Sequence, residues 1–203
     1  MTAATVPRPA NRTAAPATAF DRDLAATIAV TAYSFMVAVG FARVFSGWDF
    51  LTDLGLLVVV GHGTSFVLRR LRVSACMAIP LLLVELLWVL ASYQYRSTLA
   101  GIVPWKATWQ QFRLDISVVQ DQFQTAVAPV IYEVGWAALA GLAMVLVIVM
   151  ADAFAFRAEA RGEALVPGGV LFVFIAALGS PRLRVGSTVL LIGAGVVAVV
   201  ALR

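Results

Sequence analysis

Apolar residues in this chain come mostly in long unbroken runs, not in the alternation of a strand or the one-sided spacing of a surface helix. A helix crossing the hydrocarbon of a bilayer needs roughly 20 mainly apolar residues, within a range of about 17–25. Residues 24–45, 50–68, 73–95 and 134–156 meet that requirement. Two weaker runs bring the expected number of spans to about six: 164–178, which is short and carries Pro167, Gly168 and Gly169 near its start, and 185–202. One segment is patterned differently. In "PWKATWQQFRLDISVVQDQFQTAVAPV", residues 104–130, Trp105, Trp109, Phe112, Ile116, Val119, Phe123 and Val127 recur at spacings of four and three, which follows the helical period on one face only. This predicts an amphipathic helix over residues 104–128, with Pro104 suiting its first turn and Pro129 ending it. The expected fold is an all-α integral membrane protein, a bundle of six transmembrane helices with one extracytoplasmic amphipathic helix between spans three and four.

Composition sharpens the class. The 203 residues are 62% hydrophobic and 13% charged, with a mean hydropathy of +0.93, where a soluble domain carries about a quarter charged residues. Lipid is therefore the solvent for most side chains. Residues 1–23, rich in Ala, Thr and Pro and without periodicity, read as a disordered cytoplasmic tail. The rival, a cleaved signal peptide, fits poorly, because the first run is 22 residues against about 7–15 in a signal peptide. Lys106 is the only lysine, and that arginine bias suggests a high-GC bacterial genome. The net charge of +4 is spread over segment ends, unlike the basic face of a nucleic-acid binder, so no nucleic-acid partner is expected.

Arginine placement gives an orientation. Arg8, Arg12 and Arg22 precede span one, Arg69, Arg70 and Arg72 follow span two, and Arg157 and Arg161 follow span four. All fall on one side, expected to be the cytoplasm of a bacterial inner membrane. Arg182 and Arg184 dissent. The amphipathic helix then lies outside, with Lys106, Gln110, Arg113, Ser117 and Gln124 on its polar face.

Ionisable groups at membrane depth each need a reason, since insertion of a charge at the bilayer centre costs at least about 2.5–3.5 kcal/mol. At 1.5 Å per residue, Glu85 lies roughly 18 Å from the inner end of span three, His62 roughly 9 Å deep in span two, and Asp152 roughly 6 Å deep in span four. Tyr33 and Ser34 reach a depth like that of Glu85 and are candidates to hydrogen-bond it. Asp152 has Arg69, Arg70 or Arg157 as candidate partners, and Arg43 and Asp53 face each other across a short turn. For each the bland reading is internal polar glue and the sharper one a proton or substrate path. The glycines of "GHGTS" around His62 suggest close helix approach, and Gly61 with Ser65 makes a small-residue face. The single cysteine, Cys76, excludes an intrachain disulfide and is expected to be a small packing residue among Ala75, Met77 and Ala78. It makes a poor nucleophile, because apolar burial raises a thiol pKa. No cluster has metal-ligand spacing, and no metal or cofactor is expected.

The run "TLAGIVPWKATWQQFRLDISVVQDQFQTAVAPV", followed by a span ending "VMADAFAFRAEA" and then by "ALVPGGVLFVFIAAL", resembles the N-terminal membrane domain of TgpA-type transglutaminase-like bacterial membrane proteins. Pro104, Ala107, Thr108, Trp109, Pro129, Ala151, Asp152, Ala155, Phe156 and Arg157 occupy the family's motif positions. The detailed likeness covers residues 98–178, and residues 24–97 match in span layout only. The resemblance implies a papain-like transglutaminase domain with a Cys-His-Asp triad beyond the membrane domain, with this chain being either the membrane portion of a larger product or a stand-alone relative. No family catalytic residue is carried over. The preferred reading is a non-catalytic anchoring or scaffolding domain that positions cell-envelope machinery, with the lipid bilayer and a membrane protein or transglutaminase-like domain as partners. The alternative is a small transporter or channel subunit with a polar path through Glu85, His62 and Asp152, although no internal repeat relates residues 24–95 to 134–202.

Overall fold

The computed structural model describes residues 19–158 and 160–203. Seven α-helices run in chain order: α1 Ala19–Gly40, α2 Asp49–Arg70, α3 Ala75–Gln94, α4 Lys106–Phe123, α5 Val134–Asp152, α6 Val166–Leu178 and α7 Arg184–Ala201. Among the described residues there are no strands, only isolated bridges pairing Phe45 with Val130 and Ala100 with Val103. Five helices are long and apolar enough to cross a membrane: α1 with its extension, α2, α3, α5 with its extension, and α7. This is consistent with a multi-pass membrane protein.

α5 is the hub. It packs against α1, α2, α3, α4 and α6, while α7 lies along α1. Three glycines set the closest approaches. A Cβ on Gly61 of α2 would stand 2.6 Å from an Ile148 methyl on α5, one on Gly141 of α5 would run into a Leu90 methyl on α3, and one on Gly135 would stand 2.8 Å from the Asp115 carbonyl on α4. Gly61 and Ser65 thus form the expected small-residue face. Gly63, also expected at a close approach, has no neighbour within 4 Å of its Cβ position.

Several boundaries differ from the sequence reading. Residues 19–23, assigned to the tail, form the first turn of α1, and residues 1–18 of that tail lie outside the described residues. α1 tightens into a 3-10 turn at Phe41–Arg43. Residues 44–46 leave the helix to exchange backbone hydrogen bonds with Val130: Val130 N donates to Val44 O at 2.7 Å and Ser46 N to Val130 O at 2.9 Å. The expected fifth span is shorter than a crossing helix. Glu163–Leu178 is apolar but falls in the 10–17 residue class. Ala164 is buried against Ala26, Val30 and Ala151, so the chain turns back inside the bundle and α6 starts part-way along its neighbours.

α4 is a helix, as its period requires, but shorter than residues 104–128. The Thr108 hydroxyl fixes its start by accepting from Trp105 N–H at 3.4 Å and donating to Thr98 O at 3.0 Å. Beyond Phe123 the helix closes with Thr125 N and Ala126 N both donating to Gln122 O, at 3.0 and 2.8 Å, and Val127 is exposed. The buried face keeps the middle of the stripe but not its ends. Thr108 and Val119 are buried and Phe112, Asp115 and Ile116 half-buried, whereas Trp105, Trp109 and Phe123 are exposed. The cause is Gly135, where the missing side chain admits the Asp115 backbone and Val119. That contact line puts Trp109 roughly 80° round the helix from Val119.

Candidate functional site: a buried ionic cluster

Where α1, α2 and α5 converge, at the end carrying Arg69, charge is concentrated in the apolar interior. Asp152, the last residue of α5, is 1% exposed. Its Oδ1 accepts from Arg69 Nη1 at 2.5 Å and its Oδ2 from Arg157 Nε at 3.1 Å. Arg157 lies five positions after Asp152, which on an α-helix would set the side chains about 140° apart. The chain avoids this by widening into a π turn over Ala153–Arg157, a local device common where a helix must re-aim side chains.

Arg69 is enclosed on several sides. Its guanidinium donates to Thr27 Oγ1 at 2.6 Å and Ser65 Oγ at 3.0 Å, approaches Asp23 Oδ1 at 3.4 Å, and lies 3.7 Å from the centre of the Phe156 ring. The planar fork of arginine suits this combination of paired donors and an aromatic face. Arg157 Nη1 also reaches Val73 O at 3.4 Å, tying the α2–α3 turn to the end of α5. Arg70, the third candidate partner for Asp152, turns outward to Asp23 at 3.7 Å and over the Phe20 ring at 4.2 Å. Two carboxylates and two arginines therefore close on one another, which is what burial of charge requires.

The other candidates separate. His62 is buried and its Nε2 shares a hydrogen bond with Ser34 Oγ at 2.9 Å, while Nδ1 has no partner. Glu85 accepts from Thr64 Oγ1 at 2.8 Å at the half-buried seam of α2 and α3. Neither Tyr33 nor Ser34 reaches it: Ser34 turns to His62 and the Tyr33 hydroxyl donates to Leu165 O at 2.7 Å. The contacts do not follow the expected depths: Ser34, expected level with Glu85, meets His62, and Glu85 meets Thr64, nearer the Arg69 end of α2.

The pairing of Arg43 with Asp53 does not form. Arg43, 3% exposed, donates through Nε to Ser180 O and through Nη2 to Ala176 O, both at 3.1 Å. It thereby satisfies carbonyls at the C-terminus of α6, where a cation is favoured. Gly179 permits the approach, since a Cβ there would stand 2.8 Å from Arg43 Cβ. Asp53 Oδ2 instead accepts from Gln94 Nε2 at 2.6 Å and from the Tyr132 hydroxyl at 2.9 Å. Burial and then the Asp53 charge push the Tyr132 hydroxyl well above its ordinary value. Cys76 is exposed on the first turn of α3, not packed within the bundle, and does not face the buried His62.

Asp23 and Thr27 are the contributors the sequence reading missed. The signal was an antiparallel α1–α2 hairpin, which sets the first turns of α1 beside the arginines ending α2. Among the described residues no three His, Cys, Asp or Glu side chains gather closely enough to hold a metal ion. No family model, no curated protein and no solved structure matches the chain.

Proposed function

We propose that this chain is a non-catalytic membrane scaffold, similar to the membrane domain of the TgpA-type proteins that residues 98–178 resemble. In this reading it sits in a bacterial cytoplasmic membrane with its N-terminus inside, five helices as full spans with the shorter α6 packed among them, and α4 on the outer surface. There it holds a membrane protein or a transglutaminase-like domain of the cell envelope in position. The observation that carries the reading is the closure of Asp152 between Arg69 and Arg157. An acid consumed by two arginines ties helices together and is a poor carrier of protons. Glu85 and His62, bonded to different neighbours, support the same conclusion, because a transport path needs its ionisable groups in sequence.

Proteoliposomes provide the test. Vesicles carrying the full chain should hold a proton or alkali-cation gradient as long as empty vesicles do, and Glu85→Gln should change nothing. A flux that Glu85→Gln abolishes would replace the scaffold with the transporter.

A further inference from the structure

The end of the bundle opposite the ionic cluster contains a cavity of about 310 Å³ beneath α4. Its walls come from the last turns of α3, the first turns of α5 and one side of α4, with Leu87, Leu90, Leu142, Trp109 and Phe112 supplying most of the surface. Tyr95 also lines it. Its ring meets Phe112 edge to face at 6.3 Å, and its hydroxyl is buried. Burial first, and then the Asp115 carboxylate that it faces, raise this hydroxyl above its ordinary value, so its acceptor is supplied by the chain itself.

What would fill this space is constrained by its chemistry. The volume corresponds to roughly ten water-sized units, but a trapped water needs about two to four polar partners, and the Thr108 hydroxyl is already committed to backbone groups. A peptide would bring backbone donors and acceptors that the leucine walls cannot satisfy. A methylene chain fits both the size and the polarity, and the exposed wall residues Leu87 and Trp109 leave the cavity open at the side. Three of the wall residues are each followed in the chain by a cation. Arg96 follows Tyr95, Lys106 follows Trp105 and Arg113 follows Phe112. All three are exposed and none makes an ion pair among the described residues.

We propose that the cavity beneath α4 holds one acyl chain of an anionic phospholipid from the surrounding bilayer, with its phosphate against Arg96, Lys106 and Arg113. The proposal requires the chain to span a bilayer and is independent of what the scaffold holds. It makes α4 the cover of a lipid site, not only an amphipathic lid.

Native mass spectrometry of the full chain, released from mild detergent with equal amounts of phosphatidylglycerol and phosphatidylcholine, tests it. One phosphatidylglycerol should be retained at least fivefold more than phosphatidylcholine. Ala91→Phe, which fills the cavity, should remove the retained lipid. Trp109→Ala, at an exposed wall position that does not endanger folding, should lower retention several-fold, while Val197→Ala on the far surface of α7 should leave it unchanged. The triple change Arg96→Gln, Lys106→Gln and Arg113→Gln should bring the preference between the two lipids to about one. Equal retention of both lipids by the unmodified chain, or a retained lipid indifferent to Trp109→Ala, would overturn the site. A co-purified prenyl phosphate that phosphatidylglycerol cannot displace would overturn the choice of occupant. Because vesicle insertion is scored separately by flotation, loss of the site is distinguishable from loss of the membrane reading.

Discussion

The two ends of this bundle are held by different chemistry. At the Arg69 end, two arginines and two carboxylates are mutually paired, with hydroxyls and aromatic rings completing the contacts. At the α4 end, one carboxylate, Asp53, is held by neutral donors from Gln94 and Tyr132. Arg43 there bonds only to backbone carbonyls, and the last turns of α3 line a cavity under α4. A closed ionic cluster has one good geometry and fails sharply when a member is lost. Neutral hydrogen bonds and apolar contacts around a cavity can shift by small amounts at low cost. The first end suits a fixed point and the second a surface that accommodates something else.

The largest expected effect tests the fixed point. Asp152→Asn leaves Arg69 and Arg157 buried without their shared charge, and breaking a buried pair costs about 3–5 kcal/mol. Unfolding in detergent, followed by circular dichroism, should show a loss of that order. Adding Arg69→Met to the same chain should recover part of it, since the partners are coupled. Strictly additive losses would mean that the cluster is not a unit.

At the other end, Gly135→Leu should cost about 1–3 kcal/mol, the usual range for overpacking, because the new side chain meets Val119 and the Asp115 carbonyl. The effect should be local. In a Cys76→Ser background, a cysteine at Val119 should label slowly with a membrane-impermeant thiol reagent and become fast when Gly135→Leu is added. Slow labelling in both would show that α4 is held by something other than this contact.

Tyr132→Phe removes one hydrogen bond to a charged acceptor and should cost about 1.5–3 kcal/mol near neutral pH. The sign of its pH dependence follows from the raised hydroxyl. The neutral form is favoured in the fold, so its contribution is complete below the ordinary tyrosine value of 10.0 and is lost as pH rises through and beyond it. The difference from the unmodified chain should therefore shrink above that value. An ultraviolet titration should show one fewer late-ionising tyrosine in Tyr132→Phe. A difference that widened at alkaline pH would contradict the Asp53 contact.

The smallest effect belongs to Glu85→Gln, expected within about 0.5 kcal/mol of the unmodified chain. The amide still accepts from Thr64, and the half-buried seam needs no charge there. A loss approaching that of Asp152→Asn would place Glu85 in a network that its contacts do not include.

Helix positions were legible in the sequence because hydropathy over some twenty residues averages out local detail. α2, α3 and α5 begin and end within a few residues of their expected bounds. Azimuth was not legible. A long apolar helix with little amphipathicity does not announce which side faces its neighbours. Arg43 was therefore matched to the nearest carboxylate along the chain, not to carbonyls 133 and 137 residues away. Asp152 was matched correctly because depth alone limited it to few arginines. In α4 the apolar stripe gave the helix and the middle of its buried face, Phe112, Ile116 and Val119, but not the exposure of Trp105, Trp109 and Phe123, since a glycine on another helix decided that. The shortness of α6 was visible in its run length. The inward turn at residues 160–165 was not, since nothing in that stretch signals Ala164 burial.

Arg43 also bears on the order in which the molecule is made. It leaves the ribosome with the first hairpin, yet the carbonyls that satisfy it belong to Ala176 and Ser180, and the carbonyl bonded by Tyr33 belongs to Leu165. Until more than 130 further residues have been synthesised, this guanidinium must wait in the water and headgroup layer. The short α6, 13 residues long, ends at this arginine. Assembly thus has a late contact, the docking of α6 onto α1, because the carbonyl partners of Arg43 exist only once residues 176–180 have been made.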